Sequence, residues 1–261
     1  MNAAGPLVPA LGLQHARAPR LVQIIGGGGK TTLMFALAHE LRSDGAAVVT
    51  TTTTRIWAPS AAHCPALVLT AEHDEVLPAL QRALDRWGHV TLGQTVSTDG
   101  KLLGVSPAVL EGLQRDHPDL WVIAECDGAA GRSLKAHAPH EPALAQIPSL
   151  VIAVLGLDII GAPLDPVHVH RASLLAARLG LAPGTALGPD ALALAVAGPG
   201  GYLDQLPPAA RACLLLTKLD AQREAGARAL VDALHTHPSA RRLERVLAAS
   251  ESDIRLMAAG W

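Results

Sequence analysis

A chain of 261 residues that is 49% apolar and 17% charged can bury a large core and is neither a disordered nor a collagen-like polymer. A net charge of −2 leaves no broad basic footprint for a phosphate backbone. One Phe, one Tyr and four Trp are too few for the aromatic platforms that stack single strands, so no nucleic-acid partner is expected.

Residues 1 to 18 contain Pro6, Pro9 and Gly12 and lack a charged stretch followed by a sustained apolar one. They read as a loose N-terminal arm rather than a signal peptide, leaving one domain over residues 19 to 261. LVQII at 21 to 25, four glycines and TLMFALAHELRS, with Leu33, Leu37 and Leu41 on one face, predict strand, loop and helix. AAVVTTTT at 46 to 53 is rich in β-branched residues without polar alternation, as in a parallel strand covered on both faces, and it completes a βαβ unit. A strand follows at 66 to 70, then a helical pattern from Glu72 to Trp87 and a hairpin whose turn is marked by Asp99-Gly100.

A helix from about Pro107 to His117 leads into a buried strand at 120 to 126. Asp127 to Pro148 has no helical or strand period and reads as a long functional loop. Next come the strand LVIAVLG, a helix from about Arg171, a Pro/Gly-rich link near 198 to 208, the strand CLLLT, a helix from Gln222 to His235 and a last strand near 243 to 249. This alternation predicts a three-layer α/β/α P-loop NTPase fold with a mostly parallel sheet and a small hairpin insertion. No apolar run reaches membrane-spanning length uninterrupted; LVIAVLGLDIIG at 150 to 161 is too short. Cys64, Cys126 and Cys213 are odd in number and form no CxxC spacing, which predicts a reduced cytoplasmic protein without disulfides or zinc.

The chemistry concentrates first at Gly26, Gly27, Gly28, Gly29, Lys30, Thr31 and Thr32. Glycines between a buried strand and a helix let consecutive N–H groups turn toward one centre, where the helix N-terminus adds partial positive charge. That centre suits phosphate oxygens. Lys30 is expected to reach the β- and γ-phosphates of GTP or ATP, and the Thr31 hydroxyl to hold Mg²⁺. The strict GxxxxGK[ST] pattern is not met, because its first glycine falls on Ile24, but GGxGK[ST] is. This variant resembles the P-loops of the MinD, HypB and CobW group, with Ile25 in place of the extra lysine of MinD-type loops.

Glu125 and Asp127 stand at the carboxyl end of a strand, where ligands of open α/β sheets sit. Glu125-Cys126-Asp127-Gly128 fits the ExxG form that CobW-type proteins use, so one carboxylate is assigned to Mg²⁺ and the other to the attacking water or a neighbouring loop. Thr52 or Thr53 is a further metal candidate, as a hydroxyl or carbonyl near the second strand's end, and Arg55 a candidate phosphate contact. Thr217-Lys218-Leu219-Asp220 matches the [NT]KxD guanine pattern, in which an Asp accepts from guanine N1–H and N2–H and the Lys stem packs on the ring. GTP is therefore favoured over ATP. Arg132, Lys135, His140, Glu141 and Arg171 form a candidate site for an anionic second substrate or a partner protein, and His137, His140 and Glu141 have spacings a transition metal can use.

Taken together, GGGGKTT, the TTTT run before Arg55-Ile56, AECDGAAGRSLKAHAPHEP, and GLDIIG followed by His170-Arg171 resemble the YqeC family over about residues 20 to 220. The resemblance implies a role in maturing selenium-dependent molybdenum hydroxylases, with selenium- or molybdenum-cofactor proteins as partners. Two classes of function stay open: an NTP hydrolase coupled to cofactor assembly, or a non-hydrolysing adapter or P-loop kinase.

Overall fold

The computed structural model describes residues 6–72, 76–251 and 253–260. A helical turn, α1 (Leu7–Ala10), precedes β1 (Leu21–Gly26), α2 (Lys30–Ser43) and β2 (Val48–Thr52). Then follow β3 (Arg55–Trp57), β4 (Leu67–Leu69), α3 (Val76–Trp87), β5 (His89–Gly93), β6 (Thr95–Val96), β7 (Lys101–Leu103) and α4 (Pro107–Asp116). The second half contains β8 (Trp121–Glu125), β9 (Leu134–Lys135), β10 (Leu150–Gly156), β11 (Val169–His170), α5 (Ala172–Leu179) and α6 (Pro189–Ala197). The chain closes with β12 (Arg211–Thr217), α7 (Glu224–His235), β13 (Leu243–Ala249) and β14 (Ile254–Ala259).

The central sheet has the order β14-β13-β12-β10-β1-β8-β2-β5-β4, and every pairing is parallel except that of β14 with β13. Side chains alternate across a strand, so each buried strand feeds two cores. Val22 and Ile24 of β1 pack on one side with Leu33, Leu37 and Leu41 of α2, the residues whose helical spacing predicted that face. Leu21 and Ile25 join the opposite core with Leu80 of α3, Leu110 of α4, Leu175 of α5, Val196 of α6 and Leu230 of α7. This is the expected three-layer α/β fold. The hairpin β6–β7 is present and takes β3 as a third strand.

Four stretches differ from the sequence reading. Residues 7 to 13 are packed rather than loose: the Leu7 and Val8 N–H groups donate to the Glu40 carboxylate at 2.6 and 2.9 Å, and Leu7, Val8, Leu11 and Leu13 are buried on α2's side of the sheet. The carboxylate supplies acceptors for donors that a helix N-terminus leaves orphaned. Within the loop from Asp127 to Pro148, Leu134–Lys135 pairs in parallel with Val169–His170, and residues 133 to 137 form a buried strap. The helix α6 follows α5 after Gly180 closes it in a left-handed conformation. Beyond the strand expected to be last, β14 adds an antiparallel edge. Part of the helical pattern from Glu72, at residues 73 to 75, lies outside the described residues. Among the described residues no helix is long and apolar enough to cross a membrane.

Candidate nucleotide-binding site

The glycines sit where side chains do not fit. Gly26, Gly28 and Gly29 have φ of +94°, +88° and +121°, and a Cβ on Gly26 would lie 2.2 Å from the Val154 carbonyl oxygen. The strap is equally close: a Cβ on Gly27 would stand 2.5 Å from the Arg132 carbonyl oxygen. Gly26 N–H donates to Asp127 Oδ2 at 2.8 Å and Gly27 N–H to Val154 O at 2.8 Å. Among the described residues nothing accepts from the N–H groups of Gly28, Gly29, Lys30, Thr31 or Thr32. A run of unpaired donors at a helix start is an anion cradle.

Parallel pairing of β8 with β1 sets Glu125 beside Ile24 and so delivers the two carboxylates to the loop. Thr31 Oγ1 donates to Glu125 Oε2 at 2.6 Å. Lys30 Nζ donates to the Gly26 carbonyl at 2.7 Å and stands 3.3 Å from Glu125 Oε1 and 3.2 Å from Asp127 Oδ1. Burial pushes the Lys30 ammonium down, but the charges of Asp127 and Glu125 overcome it and hold its pKa above the ordinary value. For Glu125 burial wins over Lys30 and the Thr31 hydroxyl, and its pKa is raised. Asp127 goes the other way: against burial, the Lys30 charge, a hydrogen bond from His137 and the Lys135 charge hold it well below the usual carboxylate range. Two neighbouring carboxylates are thus pushed apart, as when acid–base roles are divided.

Beneath this pair lies a polar layer. His137 Nε2 donates to Asp127 Oδ2 at 2.6 Å; a carboxylate only accepts, so the proton sits on Nε2, and the buried Nδ1 has no hydrogen-bond partner among the described residues. Lys135 Nζ stands 3.5 Å from Asp127 Oδ2 and donates to Glu141 Oε2 at 2.9 Å, where Arg171 also donates. Burial lowers the Lys135 pKa despite both carboxylates, whereas Arg171 and Lys135 hold Glu141 low against its burial. Lys135 and Glu141 therefore pair with each other, Lys135 fully in the interior and Glu141 with Arg171 at its other side. Arg132 donates to the carbonyls of Ala130 and Pro166, and His140 is exposed. His137, His140 and Glu141 do not converge, and no group of three or more metal-type side chains occurs among the described residues.

The remaining candidates divide. The hydroxyl of Thr52 donates to the Glu125 carbonyl at 2.8 Å and accepts from Thr54 N–H at 3.1 Å, so it is committed to the backbone. Thr32 is exposed in the first turn of α2. Arg55 is carried away by β3 and meets Asp99 of the hairpin at 3.1 Å rather than the loop. Thr217 does reach the loop, donating to the Gly28 carbonyl at 2.5 Å. Lys218, with φ of +60°, donates to Ser133 Oγ at 2.7 Å and Asp158 Oδ2 at 2.6 Å, and Asp220 is held by Arg223. Ser133, Asp158 and Tyr202 are partners that sequence reasoning missed; Tyr202 packs under Gly26, and its hydroxyl accepts from Lys135 N–H at 3.2 Å. Their distance along the chain leaves no local signal. The assembled site is a glycine loop between β1 and α2 with Lys30, Thr31, Glu125 and Asp127 gathered around it.

The YqeC protein family profile matches residues 22–173, more than half of the chain. The uncharacterized protein YqeC of Escherichia coli (strain K12) is 33% identical over 214 residues, 78% of this chain and 77% of its own length. Among solved structures, chloroplast FtsY from Physcomitrella patens is similar at 17% identity and a TM-score of 0.40, over 94% of this chain and 64% of its own. The signal recognition particle receptor FtsY from Elizabethkingia anophelis is similar at 16% identity and a TM-score of 0.38, over 96% and 66%. This chain spans just under two thirds of each FtsY structure. On its profile match and its curated relative, the chain belongs to the YqeC family.

Proposed function

We propose that this protein is a Mg²⁺-dependent nucleoside triphosphatase of the cytoplasm, favouring GTP, that serves the maturation of selenium-dependent molybdenum hydroxylases. One observation carries the nucleotide part: the five successive N–H groups from Gly28 to Thr32 have no acceptor among the described residues, and Lys30 and Thr31 of the same run meet Glu125 and Asp127. The preference for guanine is supported by Thr217, whose bond to Gly28 holds the TKLD segment against the phosphate loop. Recognition of the base then requires Asp220 to exchange Arg223 for guanine N1–H and N2–H. The pathway rests on the sequence segments that resemble the YqeC family.

Thr31 and Glu125 fit Mg²⁺: their oxygens lie 2.6 Å apart at the mouth of the cradle, and both are hard donors. When bound, the ion would offset negative charge on the phosphate oxygens. Lys30 would turn from the Gly26 carbonyl to the transferring phosphoryl group, and the ionised Asp127, holding Gly26 N–H, keeps the loop in shape for it. Glu125, at the carboxyl end of β8, would also orient the attacking water.

Purified full chain, titrated with GTP or ATP in the presence of Mg²⁺ and assayed for phosphate release, tests this reading. Release without an added acceptor supports it. Tight binding without turnover would replace it with an adapter, and Asp220→Ala weakening GTP and ATP equally would remove the guanine preference.

A further inference from the structure

Three carboxylates and three side-chain cations form one continuous array beneath the phosphate loop. Lys30 touches Glu125 and Asp127, Lys135 touches Asp127 and Glu141, and Arg171 touches Glu141. Asp127 is 0% exposed and Lys135 1%, so water does not replace a lost partner there. If Lys30 serves a triphosphate, as the nucleotide reading requires, its ammonium leaves Asp127. A buried carboxylate that loses its cation resists the change, and that resistance would appear directly as lost affinity for the triphosphate.

The array contains the remedy. Lys135 Nζ is 2.9 Å from Glu141 Oε2 and already within 3.5 Å of Asp127 Oδ2, and Glu141 has a second cation in Arg171. Moving Lys135 fully onto Asp127 leaves Glu141 with Arg171, while Glu125 keeps the Thr31 hydroxyl and stays the carboxylate assigned to the metal. Every buried anion thus retains a partner. The backbone of Lys135 is fixed for this task, since its N–H donates to the hydroxyl of Tyr202, whose ring supports Gly26, and β9 is paired to β11. We propose that Lys135 is a positioning residue that takes over the Asp127 carboxylate when Lys30 turns to the phosphates, with Arg171 holding Glu141 in exchange.

Calorimetric titration of the full chain with Mg-GTP tests this. Lys135→Met should weaken binding about tenfold or more, and Lys135→Arg, which keeps a cation, should retain most of the affinity. In an Asp127→Asn background, where position 127 carries no charge for Lys135 to take over, Lys135→Met should change affinity by less than about threefold, because a purely structural lysine would lose as much in either background. Wild-type affinity in a folded Lys135→Met protein, or an undiminished loss in the Asp127→Asn background, would overturn the proposal. If Lys135→Met alone does not fold, Asp127→Asn and Asp127→Asn/Lys135→Met decide between them: equal affinities support the exchange, and a further tenfold loss, about as large as the single substitution predicts, contradicts it. A wild type that binds no triphosphate removes the nucleotide reading and this proposal together; binding lost in Lys30→Ala but indifferent to Lys135 removes this proposal alone.

Discussion

The hydroxyl of Thr31 donates to Glu125 Oε2 across 2.6 Å, joining the first turn of α2 to the end of β8 beside the ion pair that Lys30 makes with the same carboxylate. Both residues are proposed to hold Mg²⁺, so Glu125→Gln should cost about tenfold or more in GTP affinity with Mg²⁺ present and little in EDTA. Paired titrations measure this. Equal losses with and without the metal would take Glu125 out of the metal site.

Gly26 and Gly45 separate strain from crowding. Both have positive φ, +94° and +85°, but a Cβ on Gly26 would lie 2.2 Å from the Val154 oxygen whereas one on Gly45 meets nothing within 4 Å. Gly45→Ala should therefore cost about 1 kcal/mol and Gly26→Ala roughly 2 to 4 kcal/mol in urea unfolding. Equal costs would mean that the close approach of β10 does not shape the loop.

His89, on β5, is buried with Nε2 3.1 Å from Thr50 Oγ1, and burial pushes its pKa from 6.5 down to about 4. The unfolded chain therefore takes up the proton first as pH falls. Stability contributed by the neutral imidazole is present above pH 6.5 and is lost progressively toward pH 4, at most roughly 3 kcal/mol. Unfolding free energies at pH 7 and pH 4.5 should differ less in His89→Gln than in the wild type. Identical pH dependence would contradict the assignment.

The packed N-terminal segment depends on Glu40, which accepts from two successive N–H groups. Glu40→Ala should cost about 1 to 2 kcal/mol and speed amide exchange at Leu7 and Val8. Unchanged exchange there would show that the buried Leu11 and Leu13 hold the segment by themselves.

Much of the site was legible in the sequence because its parts are contiguous: glycines, Lys30 and Thr31 follow one strand, and Glu125 and Asp127 end another. Parallel strands put such ends together without further information. The partners of Asp127 were not legible, since Lys135 and His137 lie in a strap with no period and Tyr202 is 67 residues from Lys135. Arg55 misled through proximity to the threonine run; the chain turns there into β3, and the side chain follows the hairpin to Asp99. Residues 7 to 13 read as loose because a single helical turn gives too few positions for a helical period, while Glu40, which anchors Leu7 and Val8, lies 33 and 32 residues after them.

Lys30 is the residue on which the account turns. Titration of the wild type and Lys30→Ala with Mg-GTP and Mg-ATP tests it most directly, with circular dichroism to confirm that both are folded. The wild type should bind saturably and the variant should lose about a hundredfold or more in affinity. Equal binding by the two proteins, or none by the wild type, would contradict it.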